Sequence, residues 1–384
     1  MTDSEKIQKA LAPLRASDTA VQEVLEMAEH RNTHTIKKSS RTLLIAAVVA
    51  ALLIGTALAV TYSSWSPGLL DQLNLTEEEA VSLENTGLVT RPAVSDIHDG
   101  VTVSIEQAVA SGDTAHIALR IEGLDIPEGQ ELAWEGPLVT IDGERAPSWY
   151  ARVYEDLHWD GSRFIYGDGT AAPLAEEGFP IPRIVREDGS VELDVALSGL
   201  GNIDTLVGKE ITVTLYRLGN APLSTQYATP EYTAEGPWVL TWTAEGTETS
   251  RIWELDEDLG HGIRLTKVIF SPLSAHIEYT YPPLTIVDDH AYDAEGSELP
   301  EEPPHLYKII LKDGAEYLDV LGSGTMGPDG DDLSDLENGF IFYTDMELTH
   351  IIDPEEVAAL VFRETVLGDV PDSEVEFYTV TLPE

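Results

Sequence analysis

The sequence predicts a mainly β protein: short N-terminal helices and one transmembrane helix, followed by two tandem β-sandwich domains. Three observations lead to this prediction. An unbroken apolar run occupies positions 43–60, the hydrophobic period changes from that of a helix to that of a strand after position 98, and similar strand patterns then occur twice. The predicted parts are 1–42, a cytoplasmic helical segment; 43–61, the transmembrane helix; 62–98, a stalk with a short helix; 99–246, the first sandwich; 247–258, a linker; and 259–384, the second sandwich.

The composition excludes several classes of protein. The formal net charge is −47 at pH 7, and almost all of it lies after position 42, because the first 42 residues are nearly balanced in charge. A surface this acidic repels phosphate backbones, which argues against nucleic-acid binding. The chain has no cysteine, so disulfides, thiolate catalysis and thiolate metal sites are excluded. We expect no cofactor and no bound metal.

The apolar run from Leu43 to Val60 predicts a membrane anchor. A helix of this length approaches the thickness of the hydrocarbon core of a bilayer. Lys37, Lys38 and Arg41 precede the run, and an acidic chain follows it, which favours a cytoplasmic N-terminus and an extracytoplasmic C-terminal region. A cleaved signal peptide is the alternative, since the small residues at 57–59 fit a cleavage site, but the long polar segment before the run favours an uncleaved anchor.

The inner segment contains two stretches with helical spacing of apolar residues. These two stripes are too small to form a core of their own. One interpretation is a helix on the membrane surface, and the other is a docking element for a cytoplasmic partner. The partner-binding residues predicted by the second interpretation are Leu11, Leu14, Val21, Val24 and Leu25.

Beyond the anchor, Thr76 followed by acidic residues and Gly87 predict one short capped helix. From position 99 the pattern is that of strands, and "TAHIALRI" at 114–121 has a counterpart in "SAHIEYTY" at 274–281. Further pairs are "VTIDGERA" with "IILKDGAEY", and "NIDTLVGKEITVTLYRL" with "IIDPEEVAALVFRET". Two copies of one unit, each with many short strands and turn signals, predict tandem sandwiches of immunoglobulin-like type.

Three groups of polar residues are candidate sites. His116 and His276 alternate with inward-facing isoleucines, so we expect both to be surface histidines. Glu155, Asp156, His158 and Asp160 lie among aromatic residues, a combination found in glycosidase and sugar-binding grooves, but we favour an exposed hairpin, because such clusters arise by chance in so acidic a chain.

The acidic stretch at 327–339 resembles a calcium loop in composition, but Leu333 stands where the next ligand of an EF-hand belongs. The common hydrolase, zinc-protease, phosphate-loop and dinucleotide motifs are missing from the sequence. We therefore expect a protein that is not an enzyme, with no catalytic residues.

The order of parts, and the strand pattern with Gly100, Val101, Val103, Ile105 and Ala108, resemble the Gram-positive membrane proteins that carry domain of unknown function 4179. The resemblance implies immunoglobulin-like outer domains and an anti-sigma-factor-like role, with a cytoplasmic sigma factor as the partner. The chain departs from zinc-binding anti-sigma factors, since it has no cysteine to form their histidine-cysteine motif.

The expected function is that of a single-pass membrane sensor-regulator, which couples an extracytoplasmic β region and its unknown ligand to the cytoplasmic partner. The alternative is a membrane-anchored surface or adhesion protein that binds glycan or peptide and has no cytoplasmic role. An envelope hydrolase that uses the 155–160 region is a third hypothesis.

Overall fold

The protein is mainly β, as predicted. We describe it from a computed structural model, in which the described residues are 65–84, 86–175, 178–197, 205–223, 229–246, 250–287, 290–293, 303–318, 321–328, 339–364 and 375–383. No helix in these ranges is both long enough and apolar enough to cross a bilayer. The predicted anchor Leu43 to Val60, the inner residues Leu11, Leu14, Val21, Val24 and Leu25, and most of the acidic stretch at 327–339 lie outside the described residues.

Two helices precede the strands: α1 (Pro67–Gln72) and α2 (Glu77–Glu84). A short 3₁₀ helix, Pro354–Glu356, interrupts the later strands. The strands of the first half are β1 (Val89–Thr90), β2 (Ser95–His98), β3 (Val101–Ser111), β4 (Thr114–Glu122), β5 (Gln130–Glu135), β6 (Leu138–Ile141), β7 (Glu144–Arg145), β8 (Tyr150–Val153), β9 (His158–Trp159), β10 (Phe164–Ile165), β11 (Val191–Leu197), β12 (Glu210–Pro222) and β13 (Glu231–Thr243). Those of the second half are β14 (Arg251–Asp258), β15 (Arg264–Phe270), β16 (Ser274–Tyr281), β17 (Leu284–Val287), β18 (His290–Asp293), β19 (His305–Leu311), β20 (Glu316–Leu318), β21 (Leu321–Pro328), β22 (Phe340–Leu348), β23 (Val357–Arg363) and β24 (Phe377–Thr381).

The two halves share one strand order. In the first half, one sheet has the order β1-β3-β4-β11-β8, with β2 also paired to β3, and a second has the order β13-β12-β6-β7, with β5 paired to β12. In the second half, a third sheet has the order β14-β15-β16-β22-β21, and a fourth has the order β20-β19-β23-β24. The segments paired by sequence similarity occupy equivalent strands, which confirms the internal repeat. Every strand pairing within the described residues is antiparallel.

Each half has its own hydrophobic core between its two larger sheets. In the first half, Val103, Leu119 and Leu193 of the first sheet pack in one cluster with Val213 and Trp238 of the second sheet. In the second half, an equivalent cluster contains side chains from the third and fourth sheets, including those of Ile277, Leu360 and Phe362. This arrangement is consistent with β-sandwich domains.

The structure corrects two of the predicted boundaries. Residues 247–258 were expected to be a linker, but β14 pairs with β15, and Trp253 lies buried in the second core. The run "RIWELDED" is acidic on its outer face, which makes an edge strand look like a linker in sequence. Residues 62–98 were expected to be a stalk, but α1 and α2 pack against the first sheet, and β1 and β2 belong to it.

The predicted short helix is confirmed as α2, and Thr76 caps it.

Replacing Thr76 by alanine is expected to lower the free energy of local opening of α2 by about 1 kcal/mol. Thr76 Oγ1 accepts a hydrogen bond from the backbone N–H of Glu79 at 3.3 Å, and the Glu79 carboxylate accepts one from the Thr76 N–H at 2.8 Å. Amide hydrogen exchange of residues 80–84 in the full chain measures this change. Thr76→Ser, which keeps the hydroxyl, is the control; an equal loss with serine would contradict the capping argument.

Candidate functional site

The most unusual feature of the described chain is a buried polar junction on the outer face of the first sheet. We use "junction" for residues 65–75 together with the side chains of β4, β8 and β11 beneath them and of β22 beside them. A third apolar cluster joins these parts, because Leu69 and Leu73 of the 65–75 segment pack with Ala118 of β4 and with Leu273 from the turn before β16. At β4, the outer face of the first sheet is therefore covered by the 65–75 segment and by the turn before β16.

The first turn of α1 is fixed to the sheet by hydrogen bonds. Ser66 precedes the helix, and its Oγ accepts a hydrogen bond from the N–H of Leu69 at 3.1 Å. The Ser66 N–H donates to Gln107 Oε1 at 2.8 Å, and its hydroxyl donates to the carboxylate of Glu192. The N–H of Gly68 donates to the same Glu192 oxygen at 3.1 Å. Glu192 thus receives the free donors at the start of the helix, as an anionic group near a helix N-terminus does.

Two carboxylates of β11 lie fully buried beneath α1. Glu192 forms an ion pair with Arg186, and Arg186 also contacts Glu106 at 2.7 Å. Asp194 is 1% exposed, and neither of its carboxylate oxygens accepts a hydrogen bond from any residue that the structure describes. Burial raises the pKa of Asp194 to about 7, against the opposing effect of the charges of Arg152 and Arg186.

A second polar cluster connects α1 and the first sheet to the second half of the chain. Gln72 Nε2 lies 2.8 Å from His116 Nδ1 and 3.2 Å from Glu347 Oε1. The hydroxyl of Tyr150 donates to Glu347 Oε1 at 2.7 Å, and His116 Nε2 lies 3.6 Å from the same oxygen. Because Glu347 belongs to β22, a carboxylate from the second half is shared by three side chains of the first. Burial lowers the pKa of His116, outweighing the nearby charge of Glu347.

The same face of the third sheet carries another set of contacts near the junction. Ser274 Oγ donates to Asp113 Oδ1 at 2.6 Å, which joins the start of β16 to the turn between β3 and β4. Burial raises the pKa of the Asp113 carboxyl. His276 Nδ1 lies 2.5 Å from Asp345 Oδ1. Burial of His276 lowers its pKa, but hydrogen bonds to Asp345 and Glu278 outweigh this effect and raise the pKa overall.

Both histidines were expected on the surface, and this prediction is wrong for His116 and only partly right for His276. His116 is fully buried, and the side chain of His276 is 19% exposed. Strand alternation gave the correct face, because Ile117 and Ile277 do point into the two cores. It could not reveal that a helix and a second sheet cover the opposite face.

The acidic and aromatic residues at 155–160 are only partly brought together. The Asp156 carboxylate accepts a hydrogen bond from the N–H of Gly167 at 2.7 Å, and it lies 3.4 Å from both His158 Nε2 and an Arg183 nitrogen. Asp160 instead closes its own turn. Hydrogen bonds from the Ser162 side chain and from two backbone N–H groups lower the pKa of Asp160 to about 2.

Glu155 is exposed, and its side chain forms no hydrogen bond or ion pair with Asp156, His158 or Asp160. The exposed rings of Trp159 and Phe164 lie edge to face, with their centres 5.0 Å apart. The hydrogen bonds that Asp156 and Asp160 accept stabilise the turns around β9 and β10.

Sequence reasoning missed the residues that make the junction, and only part of the signal was available. Leu69, Leu70 and Leu73 have the helical spacing of an apolar face, but we predicted no helix at this position. Glu192 and Asp194 occur in "VELDVAL", which has the pattern of an ordinary strand with one solvated face. Nothing in that pattern distinguishes a carboxylate in water from one beneath a helix.

Comparisons with known proteins add little to this geometry. The sequence matches no protein-family model and no curated protein. Among solved structures, the chain is similar to a conserved domain protein from Bacillus anthracis, with 12% identity and a TM-score of 0.37 over 78% of this chain and 94% of that one. A TM-score this low supports no conclusion about fold or function.

Proposed function

We propose that the chain is a single-pass membrane sensor-regulator of the anti-sigma-factor-like kind. In this proposal the Leu43 to Val60 helix crosses the cell membrane with the N-terminus in the cytoplasm, and two immunoglobulin-like sandwiches lie outside. Residues 1–42 bind a cytoplasmic sigma factor, and the outer region responds to an extracytoplasmic ligand or condition. No catalytic step is involved.

The observation that supports this proposal is the burial of the chain immediately after the apolar run. The run ends at Val60, and Trp65 is already only 4% exposed within a cluster that also contains Leu273. A protein that merely needs attachment to a surface requires no more than a loose tether at this position. Here the segment next to the anchor is packed against the first sheet and hydrogen-bonded to a residue of β22. In this proposal, a rearrangement of the outer region is transmitted through the 65–75 segment to the anchor.

The test is recovery of partners with the full-length chain from membranes of the source organism. The double variant Leu14→Glu with Leu25→Glu places two charges in the apolar stripes of the inner segment, and we expect it to reduce recovery of a sigma factor by about tenfold or more. Gln8→Glu with Gln22→Glu adds the same charge outside the stripes and is the matched control, which should recover the partner as the unaltered chain does.

Two results would contradict the proposal. One is equal recovery with both double variants, since the stripes would then not bind the partner. The other is recovery no greater than with a chain that lacks residues 1–42. In that case the adhesion alternative gains, and the exposed Trp159 and Phe164 rings become the first place to look for glycan or peptide binding, because sugars and peptides bind to open aromatic faces.

A further inference from the structure

Asp194 occupies the centre of the contact between α1 and the first sheet. A Cβ atom placed on Gly68 would lie 2.3 Å from Asp194 Oδ2, so the backbone of α1 rests directly on this carboxyl group. The group is fully buried and accepts no hydrogen bond from the residues that the structure describes. A carboxylate in such a place costs free energy when it is ionised, whereas a protonated carboxyl group does not carry this cost.

The charges around Asp194 do not remove this cost. The neighbouring Glu192 already accepts from α1 and is paired with Arg186. Charged and titratable groups face Asp194 from five directions. They are Glu192 of its own strand, Arg186 of the preceding loop, Arg152 and Tyr150 of β8 with Tyr154 just after it, Asp71 of α1, and Glu106 of β3. Two arginines therefore face three other carboxylates in addition to Asp194 itself.

We propose that protonation of Asp194 controls the docking of residues 65–75 on the first sheet. With the proton bound, the segment stays in the junction; when the proton is lost, docking weakens and the segment leaves the sheet. The relevance of this latch to signalling rests on the proposed function, in which the same segment continues into the membrane anchor. The signal is then the proton concentration outside the membrane.

The sign follows from the difference in pKa between the two states. The pKa of Asp194 is about 7 in the docked state, and the ordinary value for an aspartate is 3.8. A raised pKa means that the docked state binds the proton more tightly, so the contribution to docking is complete below the ordinary value and is lost as pH rises through about 7. His116 acts in the opposite direction, because its lowered pKa opposes docking as pH falls. A variant at position 194 is needed to separate the effect of Asp194 from that of His116.

The absence of cysteine from the chain allows a direct measurement. A single cysteine in the full-length protein, introduced by Leu69→Cys at a position that is fully buried, reacts with a thiol reagent only when the segment leaves the sheet. The rate is divided by that of a second protein with Glu254→Cys, an exposed position, to remove the intrinsic pH dependence of the thiol. We expect the normalised rate to rise between pH 5 and pH 8, by up to about 100-fold for the two pKa values.

Asp194→Asn in the Leu69→Cys background keeps the shape of the side chain and removes its titration. We expect the rise of the labelling rate with pH to disappear, leaving only the opposite trend from His116, in which the rate falls as pH rises. Asp113→Asn is the matched control, since Asp113 is a half-buried carboxyl group whose pKa is also raised by burial, but it contacts Ser274 and lies in the turn between β3 and β4; it should leave the profile unchanged. A rise of the labelling rate with pH that persists in Asp194→Asn overturns the proposal. The absence of this rise in the protein that keeps Asp194 overturns it as well, and that result does not depend on how the Asp194→Asn variant folds. The measurement involves no cytoplasmic partner, so its failure is distinct from a failure of the proposed function.

Discussion

Replacing Arg186 by alanine is expected to destabilise the first sheet by about 3–5 kcal/mol. The side chain of Glu192 is fully buried, and Arg186 is the cation paired with it. Removing the arginine leaves a buried negative charge beside Asp194, with only the hydrogen bonds from α1 to compensate it. Amide hydrogen exchange of residues 191–197 in the full chain measures the loss, because these amides belong to β11 at the centre of the sheet.

Arg120→Ala is the matched control for this prediction. Arg120 also lies on the first sheet, but its two nearest carboxylates, Asp188 at 2.7 Å and Glu122 at 3.2 Å, are about half exposed to water. Its third partner, Glu106 at 3.8 Å, is half-buried and keeps its contact with Arg186. Exposed ion pairs contribute about 0–1 kcal/mol, so this variant should change exchange little. Adding Glu192→Gln to Arg186→Ala should recover part of the loss, because the amide carries no charge. Equal losses with the two arginine variants would show that burial of Glu192 does not determine the effect.

The sequence was sufficient for features that depend on local periodicity. The isoleucines that alternate with the two histidines, Ile117 and Ile277, were correctly expected to face inward, and both lie in the cores. The internal repeat was detectable because equivalent strands must place apolar residues on equivalent faces. The short helix α2 followed from its cap and from Gly87, whose backbone has a positive φ of 79° just after the helix. In each case the neighbours along the chain decide the structure.

The junction could not be predicted, because it depends on what covers a sheet. A polar residue that faces away from one core is normally in water. His116 was therefore interpreted as a surface residue, and Asp194 was not noticed. The covering elements come from sequence positions near 70 and near 347, far from β4 and β11. A segment rich in leucine before an otherwise acidic region was the available indication that some outer face is buried.

The contact between Gly68 and the two carboxylates leads to the last prediction. Gly68→Ala is expected to weaken docking of α1 by about 1–3 kcal/mol, the usual cost of overpacking. The added Cβ would lie 2.3 Å from Asp194 Oδ2 and 2.5 Å from Glu192 Oε1, and both side chains are buried, so they have little room to move. Intrinsic helix propensity acts in the opposite direction, since alanine is favoured over glycine within a helix. Weaker docking of α1 in this variant would therefore mean that the close contact of the added Cβ outweighs the helix propensity of alanine.

The labelling rate of Leu69→Cys in the full chain measures this change, with Gly68→Ala added, at pH 5, where Asp194 is expected to be protonated. Adding Asp194→Ala should restore part of the docking, because it removes the closer of the two oxygens, and the double-mutant cycle gives the coupling between positions 68 and 194. Faster labelling in Gly68→Ala with a positive coupling is the expected result. Slower labelling would mean that helix propensity outweighs the contact, and additive effects would mean that α1 does not rest on Asp194. In either of these cases the carboxyl group is not positioned to control docking, and the proton-dependent latch loses its structural basis.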